Sequence, residues 1–437
     1  MLPIRLELGR DPPGPANRNG HGFWQQVVVV RPCPESLGRA MSPIVSKLEG
    51  MRPFTIDVPE SVFDDLKVRL ARTRLPARTP GSRWSAGTDP GYLRELLGYW
   101  AAGFDWRARE RWLNSFSQYL ADVGGQAVHF VHVPGVRTAG GPAPLPLVVT
   151  HRWPYSFAEM LPLVPLLTDP AAHGGDPRDA FDVVVPSLPG FGYSTPLGSG
   201  PVTGPAIAET WARLMTEVLG YRRFGTYGED VGSSVSHWLA AGHPDKVIGI
   251  HVAQAAYPPV ERSGDLTAAE QKFLAWAAAK WEDATAYAEL QSTRPDTIAA
   301  ALLDSPSGLA AWLVEKFREW SDCDGDLERR FSRDDLLTTI MLYWATGTIG
   351  SSFRPYFDQR GDRRLPLPVL TVPAGITVGV GDLGMPRSLA ERTYADIRYR
   401  HDLPAGGHFV AKEEPGLVAA DIREFFLPLR DQTEESS

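Results

Sequence analysis

A short segment of this chain has the residue types and spacing of a catalytic nucleophile. Residues 227–233 read YGEDVGS, and Asp230 stands two residues from a glycine on either side. The segment follows a strand-like run (223–227) and precedes a helix-like one (234–240), and glycines allow the sharp strand-to-helix turn that presents a nucleophile. A carboxylate there forms an ester with an alkyl carbon, and therefore opens epoxides or displaces halide. An ordinary glycine-rich loop with a helix-capping aspartate is the alternative.

An aspartate nucleophile needs a base that activates water and an acid that orients the base. His408 is the candidate base, because it follows the last strand-like run and precedes a helix predicted near 417–426. Asp382 is the candidate acid, since it lies on the loop after the preceding strand-like run. Glu413 is a weaker candidate acid. The alternative reading is that Asp382 only begins a turn and that His408 makes a structural hydrogen bond.

The negative oxygen of an ester-hydrolysis intermediate needs backbone N–H donors. Val231, directly after the nucleophile, is one candidate. Trp153 is the other, because residues 151–154 (HRWP) follow the strand-like run 147–150. The Trp153-Pro154 peptide bond is a candidate for the cis form. An ordinary aromatic–proline turn is the alternative reading of this segment.

The oxygen of an opening epoxide also needs a proton donor. A tyrosine phenol is protonated at pH 7 and donates a hydrogen bond, so it tolerates the developing alkoxide. Tyr287 and Tyr356 are the best-placed candidates in the helical part of the sequence. Tyr343 is expected to pack in the core of that helical part instead.

The elements that must position these residues alternate between strands and helices. An alternating run at 128–133 predicts a half-buried strand, and continuous apolar runs are typical of parallel strands buried on both faces. Those runs lie at 147–150, 181–185, 247–252 and 376–380. Helical periodicity separates them, as at 207–218. The pattern predicts an α/β protein with a mostly parallel central sheet and helices on both faces, as in the α/β-hydrolase fold.

We divide the chain into five parts by these patterns. Residues 1–50 are rich in turn residues, and we expect them to be a disordered leader or an over-called one, that is, a segment wrongly included ahead of the true start. Residues 51–125 form an N-terminal meander, and 126–256 form the first part of the α/β core. Residues 257–365 carry only helical signals, which predicts an all-helical lid inserted before the last strands. Residues 366–430 complete the core.

Composition excludes several classes of function. The 437 residues carry a net charge of −8 with no basic stripe, which argues against nucleic acid as the main partner. Cys33 and Cys323 are the two cysteines and form no CxxC motif, so we expect a reducing compartment, the cytoplasm. Neither an HExxH motif nor a Cys/His cluster predicts a metal. The apolar run 27–30 is too short to span a bilayer, and neither a signal peptide nor a membrane anchor is predicted.

These motifs together resemble the microsomal-type epoxide hydrolases, from about Pro53 to the C-terminus. Family-like segments are 53–59 (PFTIDVP), 72–76 (RTRLP), 186–194 (PSLPGFGYS), 343–352 (YWATGTIGSS) and 406–409 (GGHF). The resemblance places the two lid tyrosines of the family on Tyr287 and Tyr356, and its base on His408. It implies an epoxide and water as the small-molecule partners, no cofactor, and a 1,2-diol product.

The chain departs from that family in two places. The family usually has HGWPGS where this chain has HRWPYS at 151–156, so Arg152 and Tyr155 replace glycines beside the oxyanion hole. Its turn usually reads GGDWG, whereas Glu229 and Val231 flank Asp230 here. We therefore predict an altered substrate pocket bordered by Arg152, Pro154, Tyr155 and Glu229.

Three readings of the function remain open from the sequence. An epoxide hydrolase is the first. A haloalkane dehalogenase shares the aspartate nucleophile but commonly holds halide with a tryptophan where Val231 stands. A non-catalytic relative with a binding role is the third, because Arg152, Tyr155 and Glu229 are unusual. The natural epoxide, a role in detoxification or biosynthesis, and a homodimer are left open.

Overall fold

The computed structural model describes residues 50–77, 80–81, 83–257, 266–362, 367–380 and 385–434. The predicted leader therefore lies outside the described residues, apart from Gly50. The candidate acid Asp382 and Cys33 also lie outside them.

A nine-stranded sheet forms the centre of the molecule, in the order β1-β2-β3-β5-β4-β6-β7-β8-β9. The first four strands in this order pair antiparallel, and the pairs from β5 to β9 are all parallel. The strands are β1 Arg52–Phe54, β2 Gln118–Val123, β3 Gln126–Val133, β4 Leu145–Thr150, β5 Phe181–Pro186, β6 Phe224–Gly228, β7 Val247–Val252, β8 Ala374–Val378 and β9 Ile397–Asp402. This confirms the predicted α/β-hydrolase fold class with its mostly parallel sheet.

The helices of the described residues fall into three groups by their place in the chain. Three precede the parallel strands: α1 Glu60–Ala71, α2 Pro90–Ala102 and α3 Trp106–Asn114. Six lie between β7 and β8: α7 Ala268–Ala284, α8 Ala286–Thr293, α9 Pro295–Asp304, α10 Pro306–Trp320, α11 Arg333–Thr346 and α12 Arg354–Asp362. The others alternate with the strands: α4 Leu163–Thr168, α5 Gly204–Arg213, α6 Val231–Gly242, α13 Arg387–Glu391, α14 Val410–Glu413 and α15 Pro415–Glu434.

The central strands are continuous apolar runs because both of their faces are covered. Every residue of β5, β6 and β7 is buried. Helix α15 packs against β7 and β8 through Phe425, whose ring would meet a side chain at Gly249 or Gly375. Burial on both faces explains why these strands show no alternation of polar and apolar residues.

The helical segment between β7 and β8 has clear helix starts in the sequence. Thr267 begins α7 and Ser332 begins α11 with capping boxes, and Ser305 caps α10 by accepting from the N–H of Gly308. Among the described residues no single helix is long and apolar enough to cross a membrane. Helices α9 and α10 meet that criterion only as a pair, bent by 117°.

The carboxyl ends of the parallel strands meet at one edge of the sheet. Thr150, the last residue of β4, pairs with Gly228 of β6, and Gly228 pairs with Val252 of β7. Farther along the sheet, beyond β7, Val378 of β8 pairs with Asp402 of β9. The loops that follow these strands carry residues 151–154, Asp230 and His408. Ligands of open α/β sheets bind at this edge.

Candidate functional site

Asp230 lies at a strained turn between β6 and α6. Its backbone has φ 47° and ψ −110°, in a region that residues with a side chain rarely occupy. Such a conformation costs about 1–3 kcal/mol and is held by the surrounding structure. It places Asp230 just beyond the strand end and directly before the first turn of α6, the helix end that favours negative charge.

The two glycines of the turn are required by close backbone contacts. A Cβ atom at Gly232 would lie 2.2 Å from the carbonyl oxygen of Thr150, and one at Gly228 would lie 2.1 Å from the carbonyl oxygen of Gly232. These contacts bring the start of α6 against the end of β4. The hydroxyl of Ser233 donates to the Gly228 carbonyl at 2.8 Å and closes the turn.

The loop after β4 is held by a buried histidine. Nε2 of His151 accepts from the N–H of Leu188 at 3.0 Å, so Nδ1 carries the proton and donates to the carbonyl of Arg152 at 3.0 Å. Burial lowers the pKa of His151 to about 4, which keeps the ring neutral. The Trp153-Pro154 peptide bond is cis, as the sequence suggested. Trp153 is fully buried, and its assignment as an oxyanion donor with Val231 stays a prediction.

The two candidate tyrosines face each other across the site. The rings of Tyr287 (α8) and Tyr356 (α12) meet edge-on with centroids 5.9 Å apart, and each phenol affects the pKa of the other. Tyr287 also stacks on Trp153, with ring centroids 5.1 Å apart and planes at 10°. Tyr343 donates to the carbonyl of Tyr155 at 2.9 Å and is buried, which agrees with its predicted packing role.

Both tyrosines are held as neutral phenols. Burial, followed by the negative charge of Asp230, raises the pKa of Tyr287 above its ordinary value. Burial, the neighbouring phenol of Tyr287 and then Asp230 raise the pKa of Tyr356. Asp230, the candidate nucleophile, is therefore near enough to raise the pKa of both candidate proton donors.

The loop that carries His408 is fixed by the end of α10. The N–H of His408 donates to the carbonyl of Trp320 at 2.8 Å. Glu413, the weaker candidate acid, accepts from the N–H of Asp322 at 2.8 Å and from that of Phe409 at 3.0 Å. Glu413 thus joins the end of α10 to the base loop, which is a structural role.

The imidazole of His408 lies among three side chains from other segments. Nη2 of Arg152 is 2.5 Å from Nε2, and Nε2 of Gln254 is 3.2 Å from Nδ1. The ring of Trp320 meets the imidazole edge-on at 5.4 Å. Because Asp382 is not among the described residues, its role as the orienting acid stays a prediction.

Gln254 is a site residue that the sequence interpretation missed. It follows β7 by two residues, and its Oε1 accepts from the N–H of Asp230 at 2.8 Å and from Nη2 of Arg152 at 3.0 Å. It therefore joins the nucleophile turn to the base. Its position after a central parallel strand was the available signal. Trp320 was also missed, since its helical spacing with Phe317 fits ordinary core packing.

The residues predicted to border the pocket are buried at the same edge. Arg152 and Glu229 are both 0% exposed, and Nη1 of Arg152 lies 3.6 Å from Oε2 of Glu229. Glu229 accepts from the hydroxyl of Tyr227 at 2.8 Å and from the N–H of Ala411 at 2.9 Å. Tyr155 stacks on Phe409 at 4.8 Å. Contact of Arg152, Pro154, Tyr155 or Glu229 with a substrate stays a prediction.

The described residues include no group of three or more His, Cys, Asp or Glu side chains that would hold a metal ion. The chemistry available at the site is that of a carboxylate, two phenols, an imidazole and backbone N–H groups. Such a set performs nucleophilic and acid–base catalysis.

Two family models match the chain. A model described as the epoxide hydrolase N terminus matches residues 51–160, and one described as the alpha/beta hydrolase fold matches residues 141–345. A protein of Stigmatella aurantiaca (strain DW4/3-1), provisionally named an epoxide hydrolase, is 42% identical over 387 residues, covering 87% of this chain and 86% of that protein. Epoxide hydrolase 1 of Sus scrofa is 33% identical over 443 residues, covering 94% of each chain.

Solved structures show the same architecture. The juvenile hormone epoxide hydrolase of the silkworm Bombyx mori superposes with a TM-score of 0.77 at 27% identity, covering 87% of this chain and 94% of that one. The Aspergillus niger epoxide hydrolase gives a TM-score of 0.75 at 29% identity, with 86% and 96% covered.

Proposed function

Because this chain belongs to the epoxide hydrolase family, we propose that it converts an epoxide and water into a vicinal diol through an ester formed on Asp230. One observation supports this assignment above the others. Tyr287 and Tyr356 belong to different helices, their rings lie 5.9 Å apart, and the carboxylate of Asp230 raises the pKa of both phenols. A carboxylate facing two phenol donors is the arrangement that ring opening of an epoxide requires.

The first half-reaction opens the ring. A carboxylate oxygen of Asp230 forms a bond to one epoxide carbon, and the bond between that carbon and the ring oxygen breaks. The oxygen, hydrogen-bonded by Tyr287 and Tyr356, takes a proton from one phenol and becomes the first hydroxyl of the product. Substrate and enzyme are then joined by an ester, and one phenolate remains.

The second half-reaction cleaves that ester. Water bonds to the Cγ atom of Asp230 while His408 takes one of its protons, and the N–H groups of Val231 and Trp153 stabilise the negative oxygen. The bond from Cγ to the alkyl oxygen breaks, and His408 returns its proton to the departing diol. The proton left on the Asp230 carboxyl restores the phenolate. Asp382 orients His408 in this scheme.

The helical segment α7 to α12 serves as a lid in this proposal, because it supplies both proton donors. Tyr287 lies on α8 and Tyr356 on α12, and the intervening α10 contacts the base loop through Trp320. Closure of such a segment over the substrate excludes water during ring opening. No cofactor enters either half-reaction.

Two other functions make different chemical demands on the site. A haloalkane dehalogenase needs donors for a leaving halide, and Val231 has no side-chain N–H to supply one. The paired phenols suit an epoxide oxygen better. The strained backbone at Asp230 favours catalysis over a purely binding role, since strain of this kind clusters at active sites.

The His408→Gln variant tests this proposal. Ring opening needs Asp230 and the tyrosines, whereas ester hydrolysis needs the base, so the variant is expected to accumulate the ester. Intact-protein mass spectrometry after incubation with styrene oxide should show a mass increase equal to the whole epoxide, because addition expels no atoms. Peptide mapping should place the adduct on Asp230.

The matched control is Asp230→Asn in the His408→Gln background, which should form no adduct. Asp230→Asn alone should lose more than about a thousandfold in turnover, as expected for a covalent nucleophile. A dehalogenase would instead release chloride from a chloroalkane and carry only the alkyl group. An unmodified His408→Gln protein, or an adduct on another residue, would contradict the proposed mechanism.

A further inference from the structure

Arg152 touches the nitrogen of His408 that must accept a proton from water. Nη2 of Arg152 lies 2.5 Å from Nε2 of His408. A guanidinium group has donors and no acceptor, so Nε2 of His408 must be the acceptor and carries no proton. The contact therefore selects the neutral imidazole with its lone pair on Nε2.

Gln254 holds the guanidinium beside the ring. Its Oε1 accepts from the N–H of Asp230 at 2.8 Å and from Nη2 of Arg152 at 3.0 Å, which steadies Nη2 next to Nε2 of His408. The doubly protonated imidazolium is a donor at both nitrogens. At Nε2 it would meet both the donor and the positive charge of Arg152.

Glu229 holds Arg152 in this position. Its Oε1 is fixed by the hydroxyl of Tyr227 and the N–H of Ala411, and its Oε2 faces Nη1 of Arg152 at 3.6 Å. Both side chains are 0% exposed, so solvent screens their interaction little. Among the described residues, Nε and Nη1 of Arg152 have no hydrogen-bond partner. These two nitrogens can therefore donate hydrogen bonds to other groups when the guanidinium moves within the site.

We propose that Arg152, anchored by Glu229, is a positioning residue that keeps His408 in its neutral, proton-accepting form for ester hydrolysis. This inference rests on the proposed function, in which His408 is the base. Water entering for hydrolysis displaces Arg152 from Nε2, and the freed guanidinium closes on Oε2 of Glu229. The proton of water then passes to Nε2 and its oxygen to Cγ of Asp230.

Other ionisable groups around Arg152 and Glu229 also influence the protonation of His408. They come from every element packed on the site: Tyr155 of the loop after β4, Tyr227 of β6, Asp230 of the turn, Tyr287 of α8, Lys316 and Glu319 of α10, Glu413 of α14, and the candidate acid Asp382. These groups are present in every variant, and only Arg152 or Glu229 differs from the parent. The two substitutions therefore report the effect of the pair itself.

Opposite charge changes at the two positions provide the test. Arg152→Met removes the positive charge, so His408 should be protonated at a pH higher by about one unit or more than in the parent enzyme. Glu229→Gln leaves Arg152 without its counter-charge, so His408 should be protonated at a lower pH. Arg152→Lys keeps the charge and should lie close to the parent. Arg423→Met is the matched control, because Arg423 is a remote arginine that donates to the carbonyl of Leu166.

Two measurements follow the protonation of His408. Histidine ¹³Cε1–¹H spectra of the full-length protein, with His408 identified by its loss in His408→Gln, give the titration midpoint without any substrate. Single-turnover decay of the ester between pH 5 and pH 9 gives the same midpoint kinetically, and its acid limb should move in parallel. Circular dichroism of each variant checks that the fold is kept.

The outcomes separate this inference from the proposed function. Equal midpoints in Arg152→Met and the parent, or shifts of the same sign in Arg152→Met and Glu229→Gln, would overturn the role of the pair. Loss of diol formation in the parent would overturn the proposed function while the spectra still decide the role of Arg152. If Arg152→Met does not fold, Glu229→Gln and Arg152→Lys carry the comparison.

Discussion

The ring of Tyr287 lies flat on the ring of Trp153, with centroids 5.1 Å apart and planes at 10°. This stack joins the helical segment between β7 and β8 to the loop after β4 at the edge where Asp230 lies. The orientation of Tyr287 is therefore set by a residue of the central α/β unit, and the ring of Tyr356 meets it edge-on with centroids 5.9 Å apart.

Single Tyr287→Phe and Tyr356→Phe changes should each slow ester formation, and the double change should nearly stop it, because two donors share one epoxide oxygen. Loss of one donor is expected to cost about a hundredfold in the rate of ring opening. Pre-steady-state burst measurements give this rate separately from ester hydrolysis. Tyr343→Phe, which removes a hydroxyl bonded to a backbone carbonyl, is the comparison variant. Unchanged opening rates in both single variants would place the donor elsewhere.

Ring opening should show no loss from tyrosine ionisation up to about pH 10. Burial raises the pKa of both Tyr287 and Tyr356, so each phenol keeps its proton well above the ordinary value of about 10. Each tyrosine therefore loses its proton, and stops acting as a donor, only at a more alkaline pH. Ester formation measured between pH 7 and pH 10 checks this. A decline centred near pH 8 would contradict the described environment of the phenols.

Gly232→Ala should disrupt the turn that carries Asp230. The added Cβ would lie 2.2 Å from the carbonyl oxygen of Thr150 and 3.1 Å from that of His151, and these backbone atoms at the crowded end of β4 cannot easily move. We expect destabilisation of about 3 kcal/mol or more, with loss of activity. Gly242→Ala at the other end of α6 is the control, because a Cβ there meets nothing within 4 Å. Urea unfolding of both variants measures the difference, and equal stabilities would contradict the close contact.

His237→Phe should make the protein more resistant to acid. Burial lowers the pKa of His237 from about 6.5 to about 4, and neither ring nitrogen has a hydrogen-bond partner among the described residues. Because the unfolded state binds the proton more readily, stability is full above about pH 6.5 and is lost as pH falls toward 4. The predicted gain of the variant at pH 5, relative to pH 8, is about 2 kcal/mol.

Free energies of unfolding at pH 5 and pH 8 measure this gain. His173→Gln changes an exposed histidine and is the matched control, in which the pH dependence should stay that of the parent. An identical pH dependence in His237→Phe and the parent would show that His237 does not contribute to acid sensitivity.

The sequence by itself determined the fold class and the positions along the chain where chemistry lies. Continuous apolar runs indicated buried parallel strands, and the glycines around Asp230 indicated a turn in which only glycine fits at 228 and 232. These are local signals, because periodicity and backbone demands act over a few residues. The helical signals of residues 257–365 were equally local, and helices α7 to α12 lie within that range.

Only the tertiary structure decided which side chains meet. Arg152, Glu229, Gln254 and His408 come from four segments, up to 256 residues apart, and are brought together by the register of β4, β6 and β7. Glu413 was weighed from the sequence as an acid, yet its carboxylate binds backbone N–H groups of Asp322 and Phe409. The sequence carries no signal for such pairings, because hydrogen bonds and ion pairs depend on positions that packing of the whole chain sets.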